Sequence, residues 1–177
     1  MNYTHFLRTV HNCINIDSST KNKIYPREKY LAKIRPFYDS DIIKVITGIR
    51  RSEKSSTLKS IIDELITRGL SNRIIYLPLD KRGYKNIITP DQLEKKIEEC
   101  IKDSEKYYLI IDEVQNVKEF EKIILQYEEE GYSVFLTSSN SYLLNDELST
   151  KLTGRYITFE IYTNLVILTL IKMLIIY

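Results

Sequence analysis

Cysteine is scarce in this chain, and charge of a single sign is absent. Only Cys13 and Cys100 are present, far apart and in no metal-ligand spacing. That excludes a disulfide-stapled scaffold and a cysteine zinc site, and a reduced, cytoplasmic protein is the expectation. His5 and His11 lie near Cys13, but their spacing matches no zinc pattern. Lysine and arginine number 26 against 24 acidic residues, a net charge of +2. So nothing global demands nucleic acid or an anionic membrane, and nucleic acid stays open as a partner. The N-terminus has no apolar signal-peptide core. The longest apolar run, residues 165–177 (LVILTLIKMLIIY), falls short of the roughly 20 residues that cross a bilayer, so no transmembrane span is expected. There are no repeats and no low-complexity linkers.

What is present is an alternation of strands and helices. Residues 42–47 form a β-branched run and read as a buried strand. Residues 73–79, 108–111, 133–137 and 156–161 read as four more. Tyr30, Leu31 and Ile34 mark a helix over 27–37 that Pro36 limits. Leu58, Ile61, Ile62, Leu65 and Ile66 share one face of a helix over 54–68, closed by Gly69. Thr89-Pro90-Asp91-Gln92 is a capping box, with proline at the first helical position. Helices are also expected over 117–130, closed by Gly131, and over 141–152, stopped by Gly154. Such alternation predicts an α/β sandwich with a mainly parallel, five-stranded sheet. Ligands of such sheets sit beyond the carboxyl ends of the strands.

Three loops at those ends carry candidate chemistry. IIKVITGIRRSEKSSTL, residues 42–58, is a strand, a glycine, a basic loop, Lys-Ser and a helix. A phosphate-binding loop of the form G-x-x-x-x-G-K-[ST] wraps backbone N–H groups around phosphates at a helix N-terminus. Gly48, Arg51, Ser52, Lys54, Ser55 and Ser56 are the candidate nucleotide contacts, with Lys54 on the phosphates and Ser55 on magnesium. YYLIIDEVQ, residues 107–115, is an apolar strand ending in Asp112, a candidate magnesium ligand, and Glu113, a candidate general base. Strand 73–79 intervenes between the two. The fourth strand ends in Thr137-Ser138-Ser139-Asn140, where polar side chains read either as γ-phosphate sensors or as helix caps. Arg155, in a Leu-Thr-Gly-Arg-Tyr turn, reads as a γ-phosphate sensor for its own or a neighbouring subunit, or as a surface residue.

The order of these motifs resembles a prokaryotic AAA-type ATPase family. YPREKYLAKIRPFYDSDIIKVITGIRRSEKSSTL resembles its helix, strand and phosphate loop. IIDEVQNVKEFEKII resembles its magnesium and base strand, and FLTSSNSYLLNDELSTKLTGRYITFEI its sensor strand and Gly-Arg-Tyr turn. The resemblance spans residues 27–161. It implies a three-layer P-loop NTPase sandwich that binds ATP and Mg2+ and hydrolyses ATP to move a partner or a second domain, with another copy of the chain or a different protein as its partner. It assigns the phosphates to Lys54 and Ser55, magnesium to Ser55 and Asp112, and the base to Glu113. It makes Asn140 the sensor and Arg155 the arginine of the turn.

Three features depart from the family. Ser138 stands where the sensor strand usually carries glycine. After residue 161 the family continues into a second domain, whereas 162–177 does not align with it. The expected organisation is therefore an arm (1–26), an ATPase domain (27–162) and an apolar tail (163–177), truncated relative to the family. The third departure bears on activity. Glu53 stands where the loop has its second glycine. Two unit charges about 4 Å apart repel by roughly 4 kcal/mol at an effective dielectric near 20, about a thousandfold in affinity. A positive φ at that position adds about 1–2 kcal/mol. Impaired nucleotide binding is expected. The rival readings are a partner-binding remnant that no longer takes nucleotide, and a small-substrate kinase.

Overall fold

The β-branched run after residue 42 is strand β1, Ile43–Thr47, and all five of its residues are buried. A computed structural model describes residues 28–49, 53–139, 151–152 and 154–162. The arm, most of the helix expected over 141–152, and the tail lie outside the described residues, as do Arg51, Ser52 and Asn140. Helix α1 is Glu28–Ile34, followed by a 3-10 turn, Arg35–Phe37, that carries Pro36 at its start. Helix α2 is Lys54–Thr67 and strand β2 is Ile74–Pro78. Helix α3 is Pro90–Glu98 and strand β3 is Tyr108–Asp112. Helix α4 is Glu121–Glu129, strand β4 is Ser133–Thr137 and strand β5 is Tyr156–Glu160.

The five strands pair in the order β2-β3-β4-β1-β5, all parallel. Strand β2 follows β1 in the chain yet lies at the far edge. The strand that separates β1 from β3 in space is β4, in register Lys44 with Phe135 and Ile110 with Phe135. Hydrogen-bond order is set by tertiary packing, and a strand's apolar pattern does not encode its neighbour.

Two apolar layers cover the sheet, because alternate residues of each strand face opposite sides. On one side Val45, Leu77, Ile111 and Leu136 pack with Leu93 and Ile97 of α3 and Ile123, Ile124 and Tyr127 of α4. On the other side Ile46, Tyr76, Ile110 and Phe135 pack with Leu31 and Ile34 of α1 and Leu58, Ile61, Ile62 and Leu65 of α2. Each fully buried aliphatic side chain contributes about 1.5–3 kcal/mol of transfer free energy. Arg35 ties α1 to α2 through the Glu64 carboxylate (Nη2 to Oε1 2.7 Å), to which the Tyr38 hydroxyl also donates at 2.9 Å.

Helix ends follow the expected chemistry. Thr89 Oγ1 accepts from Gln92 N–H, and Gln92 Oε1 accepts from Thr89 N–H at 3.2 Å, closing the capping box. Gly69 ends α2 with φ +84°, letting Leu70 N–H reach back to Leu65 C=O at 3.1 Å. Helix α4 differs from expectation: it starts at Glu121, not at residue 117. A 3-10 turn, Val114–Asn116, an extended Val117 and a left-handed Glu119 (φ 48°) come first. Val114, Val117 and Phe120 are all buried by this irregular path, so their three-residue spacing marks core contact without α-helix. Cys100 is also buried, with its Sγ 3.3 Å from Lys96 C=O.

One buried cation was not anticipated. Lys44, in the middle of the sheet, is fully buried. Its ammonium donates to Ser40 C=O (2.6 Å) and Ser133 Oγ (2.8 Å) and sits 4.8 Å from the centre of the Phe135 ring. Burial pulls its pKa down to about 8, against the opposing pull of Asp41 and Asp39. Below pH 8 the fold therefore holds a desolvated charge. Between pH 8 and about 10.4 the folded lysine is neutral while the unfolded one is still charged, so this residue's penalty fades as pH rises. Lys44→Met is expected to raise stability at pH 7 by about 1–3 kcal/mol in urea denaturation. The advantage should shrink by pH 10; a variant less stable than wild type at pH 7 would show that the hydrogen bonds outweigh the desolvation.

Candidate functional site

Strands β1, β3 and β4 end side by side, and their C-terminal residues build one polar crevice. Gly48 follows β1 with φ 146°, a conformation that a side chain forbids. The loop leads into α2, whose first residue is Lys54. The Lys54 side chain is 4 % exposed, and its ammonium folds back to donate to Gly48 C=O (3.0 Å) and Ile49 C=O (3.2 Å). Burial lowers its pKa, and the charges of Glu113 and Asp112 oppose that. Ser55 and Ser56 sit in the first turn of α2, where unpaired N–H groups and the helix dipole favour an anion.

Glu53 stands immediately before Lys54 with φ 66° and ψ 24°, the left-handed region. Its carbonyl accepts Thr57 N–H at 3.0 Å, so the residue has the role of N-cap. The conformation expected of the missing glycine is therefore held by a glutamate, at a strain of about 1–2 kcal/mol.

Asp112 ends β3 and is 1 % exposed. Burial raises its pKa, while hydrogen bonds from Thr137 and Ser55 lower it. Thr137 joins Asp112 to β4, and Ser55, in the first turn of α2, lies toward the same carboxylate. A serine hydroxyl beside an aspartate carboxylate is a hard-oxygen donor pair. It fits magnesium, which takes few protein ligands and completes its octahedron with water and phosphate. Among the described residues no group of three or more His, Cys, Asp or Glu could hold a metal ion.

Glu113 comes next, again left-handed, with φ 60° and ψ 50°. Its N–H donates to Thr137 Oγ1 at 2.9 Å. Its Oε2 accepts from Ser139 Oγ (2.5 Å), from Ser139 N–H (3.2 Å) and from Gln115 Nε2. Burial alone pushes its pKa up; the Ser139 and Gln115 hydrogen bonds and the Lys54 charge reverse that and hold it below the ordinary glutamate value. It is a carboxylate at neutral pH.

The structure brings together Gly48, Lys54, Ser55, Ser56, Asp112 and Glu113. It does not bring Arg155 to the site of its own chain. Arg155 precedes β5 and its carbonyl pairs with Ile43 N–H (2.9 Å), at the strand end opposite the loop. Five residues of strand, roughly 16 Å, separate the two ends, and its guanidinium pairs with Glu128 (3.1 Å) and Glu129 (2.7 Å). Sequence reading missed Thr137 and Gln115 as partners of the two acids. A threonine closing an otherwise apolar strand was the only available signal.

A parallel sheet in this order, with a Lys-Ser helix start and an Asp-Glu strand end sharing one crevice, defines the class of P-loop NTPase domains. A sequence model of the AAA domain family matches residues 40–165, and the chain belongs to that family. An uncharacterized protein of Haemophilus influenzae is 38% identical over 139 residues, covering 77% of this chain and 35% of the relative. A second uncharacterized protein, of Methanocaldococcus jannaschii, is 29% identical over 147 residues, covering 83% of this chain and 31% of the relative. The chain thus spans about a third of the length of these relatives. Among solved structures, the Aeropyrum pernix ORC1 protein, determined in complex with DNA, superposes with a TM-score of 0.58 at 12% identity. That match covers 81% of this chain and 48% of that one, and it shows the shared fold. No described helix is long and apolar enough to cross a membrane.

Glu53→Gly without nucleotide is expected to stabilise the fold by about 0.5–1 kcal/mol, strain relief less the entropy cost of glycine. Thermal unfolding measures this. A loss of stability would mean that Glu53 makes contacts worth more than its strain.

Proposed function

We propose that this AAA-type domain binds Mg-ATP in the crevice between β1 and β3 and is built to hydrolyse it, with Glu53 weakening the binding. The observation that carries the reading is the placement of the Lys54 ammonium, folded onto the Gly48 and Ile49 carbonyls within reach of the charges of Glu113 and Asp112. It joins the start of the loop helix to the two acids at the end of β3. In this reading Lys54 leaves the Gly48 and Ile49 carbonyls for the phosphates, and Gly48, Ser55 and Ser56 supply backbone N–H groups. Arg51, Ser52 and Asn140 contribute as the family resemblance implies. Ser55 and Asp112 hold the magnesium ion, which supplies charge neutralisation on the phosphates. Glu113, ionised and oriented, takes the proton of the attacking water.

Glu53 acts in two ways. Its carboxylate is adjacent to a polyanion, and its left-handed backbone carries a β-carbon where the family has none. The second effect also favours a rival reading, a partner-binding domain that no longer takes nucleotide. The Asp-Glu pair argues against a small-substrate kinase, and product analysis separates the two: free phosphate against a phosphorylated acceptor. Arg155 serves a neighbouring copy only if it leaves Glu128 and Glu129. Protein partners, assembly and the division into arm, ATPase domain and tail are proposals of the same kind, as is a cytoplasmic location.

Calorimetric titration with ATP and magnesium tests the reading. Glu53→Gly should bind at least about tenfold more tightly than wild type. Glu53→Ala, which removes the charge and keeps the β-carbon, should fall between them, and chelation of magnesium should weaken all three. Turnover by Glu53→Gly should vanish in the double variant with Glu113→Gln, while binding persists. If Glu53→Gly binds no nucleotide, the remnant reading takes its place.

A further inference from the structure

Glu113 is held by more groups than a free base requires. Its left-handed backbone is costly for a residue with a side chain, and such strain persists only where surrounding contacts over-determine it. Those contacts come from β4. Thr137 Oγ1 accepts Glu113 N–H and donates to Asp112 Oδ1, so one buried hydroxyl sets the spacing of both acids. Two residues past the strand's end, Ser139 gives Glu113 Oε2 both its hydroxyl and its N–H. Gln115 closes the ring: its Nε2 donates to the same oxygen and lies 3.5 Å from Ser139 Oγ. The amide orientation follows from chemistry, since the reverse would set Gln115 Oε1 against a carboxylate. In the orientation adopted, Gln115 Oε1 is buried and has no hydrogen-bond partner among the described residues. A buried acceptor left unpaired is costly and calls for a donor. A water molecule beside Glu113 is a donor of the right size.

We propose that Ser139 and Gln115 are positioning residues that fix the Glu113 carboxylate for proton abstraction, and that the spare Gln115 carbonyl orients the water whose proton Glu113 takes. This rests on the ATPase reading above. The clamp assigns part of the sensor strand's work to Ser139, one residue before the position that resemblance favoured. It also accounts for the placement of β4 between β1 and β3, because only from there do residues 137 and 139 reach both acids. The proton moves from water to a Glu113 oxygen, the water oxygen bonds to the terminal phosphorus, and the bond to the bridging oxygen breaks with ADP as leaving group.

The test has two arms. In the first, carbon-detected NMR of the full chain follows the Glu113 carboxyl titration without nucleotide. Ser139→Ala removes a donor, so the carboxyl should titrate higher by about one pH unit; Gln115→Ala should act in the same direction, and Ser139→Thr should match wild type. In the second arm, turnover is measured in Glu53→Gly chains. Adding Ser139→Ala should cut kcat roughly tenfold or more, leave KM for ATP within about twofold, and move the acid limb of the kcat profile upward. Adding Ser139→Thr should restore both. An unchanged Glu113 titration in Ser139→Ala and Gln115→Ala overturns the clamp, as does an unchanged kcat. If Glu53→Gly neither binds nor turns over ATP, the ATPase reading fails by itself, and the titration still decides whether the clamp exists.

Discussion

The bond from the Thr137 hydroxyl to the Asp112 carboxylate is the constraint on which the site depends. It crosses from β4 to β3 in a fully buried place, so neither partner has water as an alternative. Because the same oxygen accepts Glu113 N–H, one threonine fixes the last residue of β3 and the first residue beyond it. The crevice is therefore a set of strand ends locked together, and the loop is the part hung from them. A buried polar network of this kind is stable only when its members are satisfied together.

That arrangement explains why a glutamate at position 53 leaves the architecture in place. The apolar layers form on both faces of the sheet, well inside the strand ends, from Val45, Leu77, Ile111 and Leu136 on one side and Ile46, Ile110 and Phe135 on the other. The strain at Glu53 is a local cost of about 1–2 kcal/mol against a core of some three dozen buried side chains. The fold thus carries Glu53 at small cost. Glu113 shares the left-handed backbone but has contacts that hold it, from Thr137 and Ser139.

Much of the fold was legible because its signals are local. The five strands appear within a residue or two of their apolar runs, and Thr89 and Gln92 form the capping box that their spacing specifies. The phosphate loop and the Asp-Glu pair were visible for the same reason: each is a short motif at a strand end. What was not legible depends on contacts across the sheet. No pattern in residues 133–137 says that β4 lies between β1 and β3, so the reach of Thr137 and Ser139 to the two acids was hidden. Lys44 reads as an interruption in an apolar run, and only the packed structure shows it capped by Ser40 and Ser133. The start of α4 was misplaced because Val114, Val117 and Phe120 mimic helical spacing along an irregular path. Motif order also does not reveal which end of a strand a residue occupies, so the placement of Arg155 opposite the loop of its own chain was hidden.

The proposed function is a spatial statement: nucleotide enters at the carboxyl ends of β1, β3 and β4. Backbone amide NMR of the Glu53→Gly chain during addition of ATP and magnesium tests it most directly. Shifts are expected at Gly48, Lys54, Ser55, Ser56, Asp112, Glu113 and Ser139, and none at Arg155, Tyr156 or Ile43 at the opposite edge. Shifts confined to that opposite edge, or a response that skips Asp112 and Glu113 at saturating nucleotide, would contradict it.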